Sequence, residues 1–76
     1  MEIYGDALDY SLEHYGDYHP YTATLYNSIG RVYYYQGDYA EALNYYEKAL
    51  AIEEKVLGEN HPDTATTYNN IGGVYY

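Results

Sequence analysis

Three side chains able to ligate a metal, His14, Asp17 and His19, fall within six residues of one another. A tetrahedral zinc site needs such groups to converge on one point. Helix and turn geometry would have to bring this trio together, and no fourth ligand is evident, so no metal site is expected. His19 also has a counterpart in His61, each followed by a proline, which suits a repeated structural role at a helix start. Nucleophilic catalysis requires a hydroxyl beside a base, and neither Ser11 nor Ser28 has a histidine or acid at a plausible position. The neighbours Glu53 and Glu54 point in different directions from a helix and read as a solvated face. Ile71-Gly72-Gly73 lies inside a helical pattern, so no glycine-rich loop is present to cradle phosphate. The expectation is a protein without enzymatic chemistry and without a cofactor.

The elements that position these residues come from a repeat. The run from His19-Pro20 to Tyr33-Tyr34 returns 42 residues later as His61-Pro62 to Tyr75-Tyr76. The same register pairs Tyr4 with Tyr46, Ala7-Leu8 with Ala49-Leu50, and Gly16 with Gly58. A fixed period of roughly 20 to 50 residues marks stacked supersecondary units. Each unit buries its apolar face only against a neighbour, and such arrays serve mostly as binding surfaces.

Helix signals fill both copies. Ala42, Tyr46, Ala49, Leu50 and Leu57 form one apolar stripe over 39–57. Asp38 precedes that stripe with Glu41 three residues on, the arrangement of a capping box. Gly37 and Gly58 suit left-handed helix stops. Pro20 and Pro62 stand at first helical turns, where a missing N–H costs nothing. Over 20–36 the buried stripe is Tyr26, Ile29, Gly30 and Tyr33, and its copy is Tyr68, Ile71, Gly72 and Tyr75. Four helices are therefore predicted, over 2–15, 20–36, 39–57 and 62–76, joined by short links that force neighbours antiparallel.

Composition sets further bounds. A chain of 76 residues makes one small domain that buries about 60% of its unfolded surface. Without cysteine there are no disulfides or thiolate metal sites. No apolar run approaches the ~20 residues of a membrane span, and the start lacks a basic, apolar signal segment. A soluble, cytoplasmic protein that does not bind membranes is expected. The net charge of −9 argues against nucleic acid, which needs a basic footprint, and favours basic partners. Fifteen tyrosines stand in for all other large aromatics. Each ring needs a place for its hydroxyl, which biases packing toward half-exposed, interface-like contacts.

The segment from Gly30 through Gly37-Asp38-Tyr39 and Ala42 to Ala49-Leu50 resembles the tetratricopeptide repeat. In that family a large aromatic (Tyr26), an aliphatic-glycine pair (Ile29-Gly30), Tyr33, Gly37-Asp38-Tyr39, Ala42, an aromatic (Tyr46) and Ala49 hold two helices together. The usual period is shorter; here Glu53 to Asn60 lengthens the second helix. The run from Lys55 to Ala65 is similar to the longer repeats of kinesin light chains and their bacterial relatives. The resemblance implies an all-α fold, a short right-handed α-solenoid of antiparallel helix-turn-helix repeats. It divides the chain into the second helix of an incomplete repeat (1–18), one complete repeat (19–60) and a first helix (61–76). Residues 1–18 match weakly, because Gly5 and Asp6 stand opposite Glu47 and Lys48, and no polar capping helix is visible.

The resemblance also implies that first helices line a groove for an extended peptide or a partner helix. Thr24, Asn27, Arg31, Tyr34 and Tyr35 flank the buried stripe in the first copy, and Thr66, Asn69, Gly73 and Tyr76 in the second. Asparagine can both donate to and accept from a peptide backbone, and tyrosine gives contact area at low entropy cost. Asn27 and Asn69 equally fit hydrogen bonds to a neighbouring loop, and Tyr34 fits packing. With Arg31 as the one cation of that groove, neither a C-terminal carboxylate nor an acidic aromatic peptide is expected to bind well. The function expected is a protein-binding module with a peptide or protein partner, a basic one by charge. The competing expectation is a self-assembling structural repeat fragment, natural or engineered. Its incomplete ends would associate as a homo-oligomer, by head-to-tail contact or by helix exchange.

Overall fold

A computed structural model describes residues 10, 12–14, 16 and 18–75. Three helices account for most of them: α1 (Pro20–Gln36), α2 (Tyr39–Val56) and α3 (Pro62–Tyr75). Tyr10 and residues 12–14 are also helical, and no strand occurs among the described residues. The fold is the all-α helical repeat that the sequence predicts. Most of the helix expected over 2–15, and Tyr76, lie outside the described residues. No helix among those described is long and apolar enough to cross a membrane.

The two helix corners are built alike. Gly16 (φ 82°) and Gly58 (φ 88°) both take the left-handed conformation, which costs a residue without Cβ little. Three residues later a histidine caps the next helix. His19 Nδ1 accepts from the Tyr21 N–H at 3.0 Å, and His61 Nδ1 accepts from the Asp63 N–H at 3.0 Å. Accepting at Nδ1 places the proton of each neutral ring on Nε2. Thr22 and Thr64, both fully buried, donate back to the carbonyls of Gly16 at 3.2 Å and Gly58 at 2.8 Å. These two threonines clamp helix to corner, a role their polarity hides in the sequence. Gly37 (φ 85°) closes α1. The box expected at α2 is half formed: Asp38 accepts from the Glu41 N–H at 3.3 Å. Its own N–H instead donates to the Tyr33 carbonyl at 2.9 Å, completing the α1 stop.

α2 packs against both α1 and α3. The buried apolar residues are Ala23, Leu25 and Ile29 of α1 and Ala42, Tyr46, Ala49 and Ile52 of α2, and Ala23, Ala49 and Ile52 form one cluster with Tyr26 packed against it. Gly30 is the tightest point. A Cβ there would stand 2.7 Å from Tyr46 Cε1 and 3.2 Å from the Ala42 carbonyl oxygen. Tyr26 and Tyr33 are half-buried and flank Tyr45, with ring centroids 6.0 Å and 5.6 Å away. Leu50 and Leu57 are half-buried.

On α3 the copied stripe is not a core. Tyr68 is 43% exposed and Tyr75 74% exposed, Ile71 is half-buried, and a Cβ on Gly72 would meet nothing within 4 Å. The expectation that Tyr68, Ile71, Gly72 and Tyr75 pack as their copies do is corrected accordingly. The physical reason is that no described helix lies over this face as α2 lies over α1. The Tyr68 hydroxyl finds a different partner, donating to Glu54 of α2.

Candidate functional site

α1 and α3 stand side by side because side chains bridge them. Asn27 Nδ2 donates to Thr67 Oγ1 at 2.8 Å, and Asn70 Nδ2 approaches Asn27 Oδ1 at 3.5 Å. The Thr67 hydroxyl donates to Glu53 of α2. One short chain of polar groups thus joins three helices, and no buried side-chain nitrogen or oxygen in the described structure lacks a partner. Asn27, expected as a peptide reader, spends its amide on this link.

Glu53 departs most from expectation. It is 3% exposed and not part of a solvated face, whereas Glu54 beside it is exposed. Loss of water pushes the Glu53 carboxyl above its ordinary value. The Thr67 hydrogen bond works against that rise, the Asp63 charge adds to it, and His61 opposes it. Thr67 carries the signal that could have revealed this. It stands where the first copy has the buried Leu25, and a hydroxyl replacing leucine in a core position calls for a polar partner.

Two cavities adjoin along the α1–α3 face. The first, about 180 Å³, is lined by Arg31, Tyr34, Tyr35 and Tyr46 with Asn69, Asn70 and Gly73 of α3. The second, about 200 Å³, lies between Thr24, Asn27 and Ser28 of α1 and Asp63, Thr66 and Asn70 of α3, with Glu53 and Arg31 at its borders. Thr24, Asn27, Arg31, Tyr34, Tyr35, Thr66, Asn69 and Gly73 therefore share one surface. The hydroxyls of Thr24, Ser28 and Thr66 donate to carbonyls one turn back in their own helices. Asn69 is exposed and carries no hydrogen bond to a described residue, so its amide is open to a ligand. Tyr34 is half-buried against Tyr35 and Tyr39, each with a ring centroid 5.5 Å away. Packing claims much of its ring.

The histidines that opened the metal question are occupied otherwise. His14 stacks on Tyr10 with centroids 3.9 Å apart and its Nδ1 donates to the Tyr10 carbonyl at 3.0 Å, while His19 caps α1. Asp17 lies outside the described residues. Among those described, no three histidine, aspartate or glutamate side chains come close enough to hold an ion.

The sequence compared with known families matches the model of the tetratricopeptide repeat over residues 22–63, a span equal to one step of the internal repeat. No curated protein matches the chain.

Proposed function

The chain belongs to the tetratricopeptide repeat family, and from that premise we propose that it is a non-catalytic protein-binding module. In this reading an extended peptide lies in the groove between α1 and α3. The single observation that carries the proposal is the continuity of the two cavities along that face. The stretch of α1 from Thr24 to Tyr35 runs about 16 Å at 1.5 Å per residue, room for about five residues of extended chain. Asn69 supplies backbone recognition and Tyr35 contact area. The net charge of −9 favours a basic peptide, mostly through association rate. Selecting binders from a random peptide library tests this. Asn69→Ala and Tyr35→Ala are expected to weaken the selected peptides several-fold each, and unchanged affinity in both would remove the groove from consideration.

A second reading is self-association. Tyr68, Gly72 and Tyr75 copy the α1 residues that α2 covers, so they offer a helix of a second copy the same seat. In this reading the chain is not a monomer at high concentration. Mass by light scattering over a concentration series decides: a constant monomer mass to ~1 mM ends it.

A further inference from the structure

Two of the three cations are committed to tyrosine rings. Lys48 Nζ lies 5.1 Å from the Tyr45 centroid and 5.7 Å from that of Tyr26, and Lys55 Nζ lies 4.2 Å from that of Tyr18. The third, Arg31, lines the same cavity as Glu53 but forms no ion pair with it. Glu53 is thus a carboxylate with 3% exposure and no lysine or arginine nitrogen within 4 Å among the described residues. Buried carboxylates are ordinarily paired with a cation. The hydrogen-bond donor described for this one is a neutral hydroxyl, that of Thr67. Glu53 nonetheless borders the second cavity, whose rim carries the exposed Asp63.

We propose that the Glu53–Asp63 end of the groove is a subsite for the ammonium group of a lysine side chain. The subsite deepens the peptide-binding reading and, as a part of a peptide site, rests on it. Lysine fits better than arginine. Thr67 already engages Glu53 Oε1, so the carboxylate does not offer two free oxygens to a bidentate guanidinium fork. A compact point charge needs only one. A seated ammonium also favours ionised Glu53, so binding weakens as pH is lowered through the raised Glu53 midpoint. Asp63 and His61 from the α3 side and Arg31 from α1 face the same cavity or the same carboxyl. The pH effect assigned to Glu53 is therefore the part that Glu53→Gln abolishes.

The test uses the full chain and two small probes, n-butylammonium and its neutral analogue 1-butanol, at fixed ionic strength. Amide chemical shifts are read at each addition. Saturable shifts at Asn27, Thr66 and Thr67 with butylammonium, and none with butanol, are expected. Glu53→Gln, which keeps size and a hydrogen-bond acceptor, is expected to weaken butylammonium at least ~10-fold. Asp63→Asn, at the exposed rim, is expected to weaken it less. Equal responses to both probes, or an unchanged affinity in Glu53→Gln, overturns the subsite. A library-selected peptide that occupies the groove without lysine and binds Glu53→Gln as well as wild type also overturns the subsite, while leaving the peptide groove standing. Butylammonium bound at Glu53 in a chain for which the library yields no groove peptide supports the cation site and removes the peptide reading.

Discussion

α1 and α3 carry the same residues in unlike surroundings. Tyr26, Gly30 and Tyr33 pack against α2, while on α3 Tyr68 is 43% and Tyr75 74% exposed. Gly30 has no room for a methyl group and Gly72 has nothing near it. The corners that launch the two helices are nevertheless matched hydrogen bond for hydrogen bond. Local sequence therefore dictates the corner and the helix, and a neighbouring helix decides whether the stripe becomes a core. Repeat arrays derive their stability from such nearest-neighbour terms.

The comparison is broken most severely by truncating the ring that fills the α1–α2 contact. Tyr46→Ala is expected to cost about 3–5 kcal/mol, whereas Tyr75→Ala stays within about 0.5 kcal/mol; urea denaturation measures both. The two glycines should then differ in sign. Gly30→Ala drives a methyl into the buried Tyr46 ring and is expected to lose about 1–2 kcal/mol after the helix-propensity gain is counted. Gly72→Ala meets no obstacle and is expected to gain up to ~1 kcal/mol. A matching loss at both glycines would mean that α3 is covered as α1 is. The corners should instead respond equally: His19→Ala and His61→Ala each remove a cap worth about 1 kcal/mol, and a several-fold disparity in thermal denaturation would show that the corners are not equivalent.

A smaller effect is set by pH. Glu53 holds its proton more tightly in the folded chain than in the unfolded one. Between the ordinary glutamate value and the raised one the native state binds more protons, so stability falls as pH rises through that window. Below the window the penalty is absent, and above it the penalty is complete. Glu53→Gln removes this contribution, so the mutant should gain on wild type as pH rises. Parallel stability curves for the two proteins would contradict the assignment.

The helices, their stops and both histidine caps were legible because capping and turn chemistry act within a few residues. So was the sharing of one face by Thr24, Asn27, Arg31, Thr66 and Asn69, which follows from helical spacing once the repeat is seen. Three things were not. Glu53 looked solvated because its partner Thr67 is fourteen residues away, on a different helix. Thr22 and Thr64 drew no assignment because their partners are corner carbonyls, which no side-chain pattern records. Tyr68 and Tyr75 looked like core because they repeat the α1 stripe, in which Tyr26 and Tyr33 are themselves half-buried, and sequence identity between repeats is silent about what covers each helix.

The binding claim is tested most directly by amide shift mapping of a library-selected peptide on the labelled chain. The account predicts perturbations along Thr24 to Tyr35 and along Thr66 to Gly73, meeting at Arg31 and Asn70. Perturbations confined to the outer surface of α2, around Asn44, Glu47 and Ala51, would contradict it.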